Sequence, residues 1–88
     1  MRLDLFLKKI RIIKTRAKSN ILCKKGYVFL NDAKAKPSKE IKVGDLIKID
    51  FGKRLLLIEV IKIPDGNVPK SALKSFFNVI TDKKIDII

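Results

Sequence analysis

Apolar positions recur along this chain with two different periods, and the period changes at Gly26. Leu3, Phe6, Leu7 and Ile10 stand at i, i+3, i+4 and i+7, one stripe of a helix. They predict a first helix over residues 2–9, with Arg2, Lys8, Lys9 and Arg11 projecting elsewhere. A second helix is predicted over residues 15–25. Thr15 suits its N-cap, Gly26 supplies the left-handed residue beyond its end, and Lys24 and Lys25 lie in the last turn, where the helix dipole favours cations. Thr15, Ser19, Leu22 and Cys23 share a face of mostly small side chains, against which another helix can approach closely. Lys14, Lys18 and Lys25 share roughly the opposite face, which Ile21 interrupts.

Beyond Gly26 the pattern is extended. Tyr27–Leu30 reads as a short strand and Asn31-Asp32 as a turn. The polar segment Ala33–Lys42, with Pro37-Ser38 inside it, reads as a loop or irregular edge. Val43-Gly44-Asp45 is a second turn, in which Asp45 is expected to tie loop backbone by hydrogen bonds. Leu46–Phe51 alternates as a strand, Gly52-Lys53 turns the chain, and Arg54–Ile63 is a longer strand. That strand is apolar on both faces near its middle, so each side calls for a cover. Pro64–Asn67 breaks it. Leu73, Phe76, Phe77 and Ile80 then repeat the helical spacing and predict a terminal helix packed on the sheet, with Lys83–Ile88 fraying or adding a weak strand. The fold class is therefore α+β: two N-terminal helices on a small, mainly antiparallel sheet, with a short C-terminal helix.

Charge changes this picture from a scaffold into a surface. The chain has 88 residues and a formal charge of +12. Arg2–Gly26 alone holds nine basic side chains (Arg2, Lys8, Lys9, Arg11, Lys14, Arg16, Lys18, Lys24, Lys25) and one acid, Asp4, a formal +8. So concentrated a charge is self-repulsive, and its usual counterpart is a phosphate backbone. Arginine holds phosphate in a planar fork and stacks on bases, which ranks Arg2, Arg11 and Arg16 above the lysines. If about six of these side chains meet phosphates, affinity falls roughly a thousandfold between low and moderate salt. Asn20 is the one amide in the helices suited to reading bases, so structured RNA, read by shape and backbone, fits better than a DNA major groove.

Other chemistries find little purchase. The chain has no histidine and one cysteine, Cys23, which leaves neither the commonest general base nor a zinc ligand set; Cys23 reads as a small core residue, and no cofactor is expected. Asp65, Asp82 and Asp86 show no paired-carboxylate arrangement. No apolar run reaches the roughly 20 residues of a membrane span, and Asp4, Lys8 and Lys9 interrupt any leader-like run, which favours the cytoplasm. A basic amphipathic helix on acidic lipid is the weaker alternative.

Arg2-Leu3-Asp4, Phe6-Leu7, Lys14-Thr15-Arg16, Gly26, Val28, Asn31, Lys36-Pro37-Ser38 and Val43-Gly44-Asp45 together resemble the S4 RNA-binding domain. Phe51-Gly52 followed by Leu55–Val60 extends the likeness to the small stand-alone S4 proteins of the heat-shock and ribosome quality-control types. The resemblance implies an S4-like domain over 1–63 with an extension over 64–88. It also implies a non-enzymatic protein bound to 23S rRNA and peptidyl-tRNA on a stalled large (50S) subunit, beside a factor that adds alanine tails. The alternative is an rRNA-binding assembly or regulatory factor. By position, Arg2 and Arg16 match the family's arginines, and Lys8, Arg11, Lys14 and Lys36 match its basic positions. The expected RNA-binding set is Arg2, Lys8, Lys9, Arg11, Lys14, Thr15, Arg16, Lys18, Lys25 and Lys36, with Lys34 a possible extension and a monomer as the default state. Three residues depart from the pattern. Lys18 replaces an apolar residue, Asp32 replaces a turn glycine, and Tyr27 replaces a basic residue and either offers a stacking surface or packs at the domain edge.

Overall fold

The computed structural model describes residues 1–85. Helix α1 spans Leu3–Lys9 and α2 Arg16–Lys24; the strands are β1 (Val28–Leu30), β2 (Ala33–Lys34), β3 (Leu46–Asp50), β4 (Arg54–Val60) and β5 (Phe77–Lys84), with a 3₁₀ helix over Lys70–Ser75. The five strands form one antiparallel sheet in the order β2-β1-β3-β4-β5. The predicted stripe of α1 is the centre of the core: Leu3, Phe6, Leu7 and Ile10 are buried with Val28, Ile47, Ile49, Leu56, Ile58 and Val60, the inward row of β1, β3 and β4. Phe29, Lys48, Leu55, Leu57 and Glu59 form the outer row and are half-buried, so only one face of the long strand received the expected cover.

Local chemistry closes each element. The Thr15 Oγ accepts from the Lys18 amide at 3.1 Å, the predicted cap of α2. At the other end Gly26 lies at φ +82°, its amide donates to Cys23 O, and the Tyr27 amide donates to Leu22 O, both at 3.0 Å. This paired arrangement is a Schellman motif, and it needs the left-handed glycine. Asn31 and Asp32 both have positive φ, 49° and 69°, and join β1 to β2 as a two-residue hairpin. The Asn31 Nδ2 donates to Asp45 Oδ1 at 3.0 Å, and Asp45 Oδ2 accepts from the Lys42 amide at 2.8 Å, so Asp45 ties the loop as expected.

The C-terminal region differs from its reading. The short helix is a 3₁₀ turn ending before Phe76, which is buried, and Phe77 and Ile80 belong to β5 instead of a helical stripe. Two causes are visible. Val79, Ile80 and Thr81 are β-branched, and β4 offers them a full edge to pair with. A bulge opposite Leu57/Ile58 leaves Ile80 as an extra residue, which breaks the two-residue alternation that would have announced the strand. Strand β4 also ends at Val60, three residues early, where Ile61 and Lys62 both donate to Phe76 O. Arg54 clamps Asp82 across β4 and β5 through bonds of 2.7 and 3.0 Å. Lys83 and Lys84 lie in β5, and the remainder of the predicted tail, 86–88, lies outside the described residues.

Candidate RNA-binding surface

The N-terminus of α1 is assembled against the loop that follows β2. The Leu3 amide donates to Lys39 O at 2.8 Å and the Asp4 amide to Pro37 O at 3.1 Å, while the Ile41 amide donates back to Met1 O at 3.0 Å. These bonds satisfy helix-start donors that have no partner within the helix. They also explain the Lys36-Pro37-Ser38 landmark: a buried Pro37 anchors the loop and leaves Lys36 exposed beside Arg2.

Asp4 is the hub of this surface. Its side chain is 1% exposed. It accepts from Arg2 Nε at 3.2 Å, Arg2 Nη2 at 3.1 Å, the Leu5 amide at 2.8 Å and Asn20 Nδ2 at 3.4 Å, and Arg16 Nε lies 3.7 Å away. One carboxylate thus joins the start of α1 to two positions one turn apart on α2. Burial pushes the Asp4 carboxyl up, but hydrogen bonds from Arg2, Asn20 and the Leu5 amide, with the Arg2 charge, outweigh it and hold the group below its ordinary value. Arg2 and Arg16 remain 44% and 49% exposed, so their outer donors face solvent.

Around this hub lies an open cleft of about 620 Å³, lined by Arg2, Asn20, Lys24, Lys34 and Lys36 over Cys23, Ala35 and Pro37. Lys24 lies outside the expected set, and Lys34 is the extension that the sequence suggested; the cleft brings them together from the last turn of α2 and the edge strand β2. Burial pushes the Cys23 thiol beneath them up to about 11, with the Asp4 charge adding to the effect.

Most other expected residues lie elsewhere on the surface. Lys8, Lys9, Arg11 and Lys14 line a second, larger cleft of about 990 Å³ with Asn67, Val68 and Pro69. Here Lys9 Nζ donates to Gly66 O at 2.7 Å and Arg11 Nη2 reaches Val68 O at 3.5 Å, so the loop after β4 braces both cations. Arg11 holds φ +61°, a left-handed backbone that costs a non-glycine residue about 1–2 kcal/mol. Lys18 and Lys25 are exposed on α2, and the Thr15 side chain is engaged as the cap.

Known proteins carry the same architecture. The S4 domain family model matches residues 1–47. The chain is 35% identical to the RQC P-site tRNA stabilizing factor of Streptococcus pneumoniae over 98% of its own length and 97% of that protein. It is 39% identical to the protein of the same name from Helicobacter pylori, over 80% and 84% of the two chains. The trimeric structure of Vibrio cholerae Heat Shock Protein 15 superposes with a TM-score of 0.83 at 29% identity, covering 90% of this chain and 80% of that one. With residues 1–47 matched by that family's model and its relatives matched almost end to end, this chain belongs to the S4 domain family.

Proposed function

We propose that this chain is a non-enzymatic RNA-binding factor that holds P-site tRNA on the large ribosomal subunit during ribosome-associated quality control, with 23S rRNA as its other ligand. The observation that carries the proposal is the Asp4-centred pairing of Arg2 and Arg16. It draws both guanidinium groups to one carboxylate oxygen, Arg2 by hydrogen bonds and Arg16 by charge, with Lys24, Lys34 and Lys36 lining the cleft beside Arg2. Such a group neutralises adjacent phosphates and grips them with defined orientation, which single flexible lysines do less well. The names of its relatives support the tRNA assignment. The second basic cleft, on the C-terminal side of α1, gives the protein a separate surface on which a second backbone can rest. Peptidyl-tRNA is then the form of tRNA retained, and a tail-adding factor is the protein that acts beside it.

The test is recovery of 50S particles carrying peptidyl-tRNA with the tagged protein from cells. Arg2→Ala and Arg16→Ala are expected to reduce recovery at least tenfold. Full recovery by both variants refutes the site. Crosslinks confined to rRNA that is buried in the mature subunit refute the quality-control role in favour of assembly.

A further inference from the structure

Tyr27 takes the position beyond Gly26, at the end of α2, and its backbone is held on both sides. Its amide donates to Leu22 O, and its carbonyl accepts from the Asp50 amide at 2.9 Å. The ring is therefore mounted on two rigid elements. Packing against Leu22 is the usual task of a side chain at this point of a Schellman motif, but Tyr27 remains 45% exposed. It borders a groove of about 380 Å³ lined by Lys18, Leu22, Asp50, Phe51 and Gly52. The Arg54 guanidinium stands 5.8 Å from the centre of the Phe51 ring, which, among the described residues, leaves Tyr27 as the aromatic of this groove without a cation on it. Ile21, 51% exposed, lies one turn from Lys18 and from Lys25 on the adjoining face of α2.

An exposed aromatic ring, an apolar floor and a lysine at the rim are what an unpaired nucleotide requires: a surface for the base, and a cation for its phosphate. The groove adds an acceptor. Asp50 Oδ1 is engaged with the Gly52 amide at 2.8 Å, and the other carboxylate oxygen is available to an N–H on the edge of a base. A duplex cannot use this groove, because its bases are stacked on one another. We propose that Tyr27, Leu22, Asp50 and Lys18 form a site for one unpaired nucleobase of a single-stranded or looped RNA segment, the base stacking on Tyr27 and its phosphate meeting Lys18. The site deepens the RNA-binding reading and rests on it; it runs along α2 from Lys18 in the first turn to Tyr27 beyond the last.

The chain has a single tyrosine and no tryptophan, so its intrinsic emission reports Tyr27 alone. Hexa-adenylate is titrated into the full-length protein in low salt, alongside an abasic phosphodiester chain of the same length and a short RNA duplex. Stacking is expected to quench the emission with hexa-adenylate and not with the other two. Tyr27→Ala is expected to weaken hexa-adenylate binding about tenfold, Tyr27→Phe to preserve it, and both to leave duplex and abasic binding unchanged. Lys18→Gln weakens hexa-adenylate and abasic chain alike. Quenching absent at saturation, or equal affinity of Tyr27→Ala and the parent for hexa-adenylate with unchanged circular dichroism, overturns the site. Recovery of 50S particles is a separate measurement, so a failure of the ribosomal reading is told apart from a failure of this groove.

Discussion

Replacing Asp4 by asparagine tests the hub directly. The substitution keeps shape and volume but removes the charge and turns one acceptor into a donor that faces the Arg2 fork. Four hydrogen bonds converge on the carboxylate, two of them from Arg2. Breaking a fully buried ion pair costs about 3–5 kcal/mol. Here the partners are nearly half exposed and can turn to water, so the cost falls toward that of hydrogen bonds to a charged group, about 1.5–3 kcal/mol. An expected loss of about 2 kcal/mol is a large share of the stability of a domain this small, yet leaves it folded.

Urea unfolding followed by far-ultraviolet circular dichroism gives the number, and its pH dependence gives the mechanism. The Asp4 carboxyl has a folded pKa below its unfolded value. Its contribution is therefore complete above the unfolded pKa, roughly 4, and is lost as pH falls through the folded value. The parent and Asp4→Asn should differ by a constant amount at neutral pH and converge in acid, where the parent carboxyl is protonated and resembles the amide. A stability gap that persists unchanged below pH 3, or no gap at pH 7, would refute the argument that the charge holds the fork. RNA binding measured under fully folded conditions should still fall for Asp4→Asn, because Arg2 and Arg16 lose their common anchor.

Arg11→Gly should raise stability by about 1 kcal/mol in the same urea assay, since glycine accepts the positive φ without strain. The same variant should lower the slope of log affinity against log salt by close to one phosphate contact; a destabilised Arg11→Gly would show that the brace to Val68 outweighs the strain. Thr15→Ala should cost about 1 kcal/mol through loss of the α2 cap, with Thr15→Asn restoring most of it. Binding by folded Thr15→Ala should be unchanged, and a large drop would make Thr15 an RNA contact in its own right. Cys23, with its thiol raised to about 11, should be alkylated at pH 8 at least a hundredfold more slowly in the native protein than in urea; comparable rates would mean that α2 opens readily.

The parts of this fold that the amino-acid sequence made legible are those specified by neighbours in the chain. The α1 stripe, the Thr15 cap, Gly26 and the Val43-Gly44-Asp45 turn each act within about one helical turn of themselves. What escaped notice depends on contacts between distant segments. Ile80 is extruded by pairing with a strand some twenty residues earlier, so β5 shows no clean alternation, and the Leu73, Phe76, Phe77 and Ile80 spacing, which runs from the 3₁₀ helix into β5, mimics a helix by coincidence. Lys24 and Lys34 join one cleft only because β2 folds back beside α2. Asp4 looked like a single acid in a basic stretch. Its place in the first turn of a helix beneath two arginines, with Asn20 on the next helix, was the one available signal, and it lies in spacing across two helices.

The arithmetic of donors explains why a buried anion helps a surface that must bind anions. A guanidinium carries five N–H donors. Asp4 engages two of those on Arg2, at Nε and Nη2, and approaches Arg16 at Nε only. Donors on the far side of both forks stay available, so phosphate can be gripped without breaking the internal bonds. Holding long side chains in place removes rotamer freedom worth up to about 2 kcal/mol each, and here part of that ordering occurs when the protein folds rather than when it meets RNA. The repulsion between the two arginines is likewise reduced in advance by the carboxylate between them. A surface of lysines alone would carry the same net charge and would have to lose that freedom on binding. On the proposed reading, affinity therefore depends less on how many cations the first helices carry than on which of them a single acid holds in register.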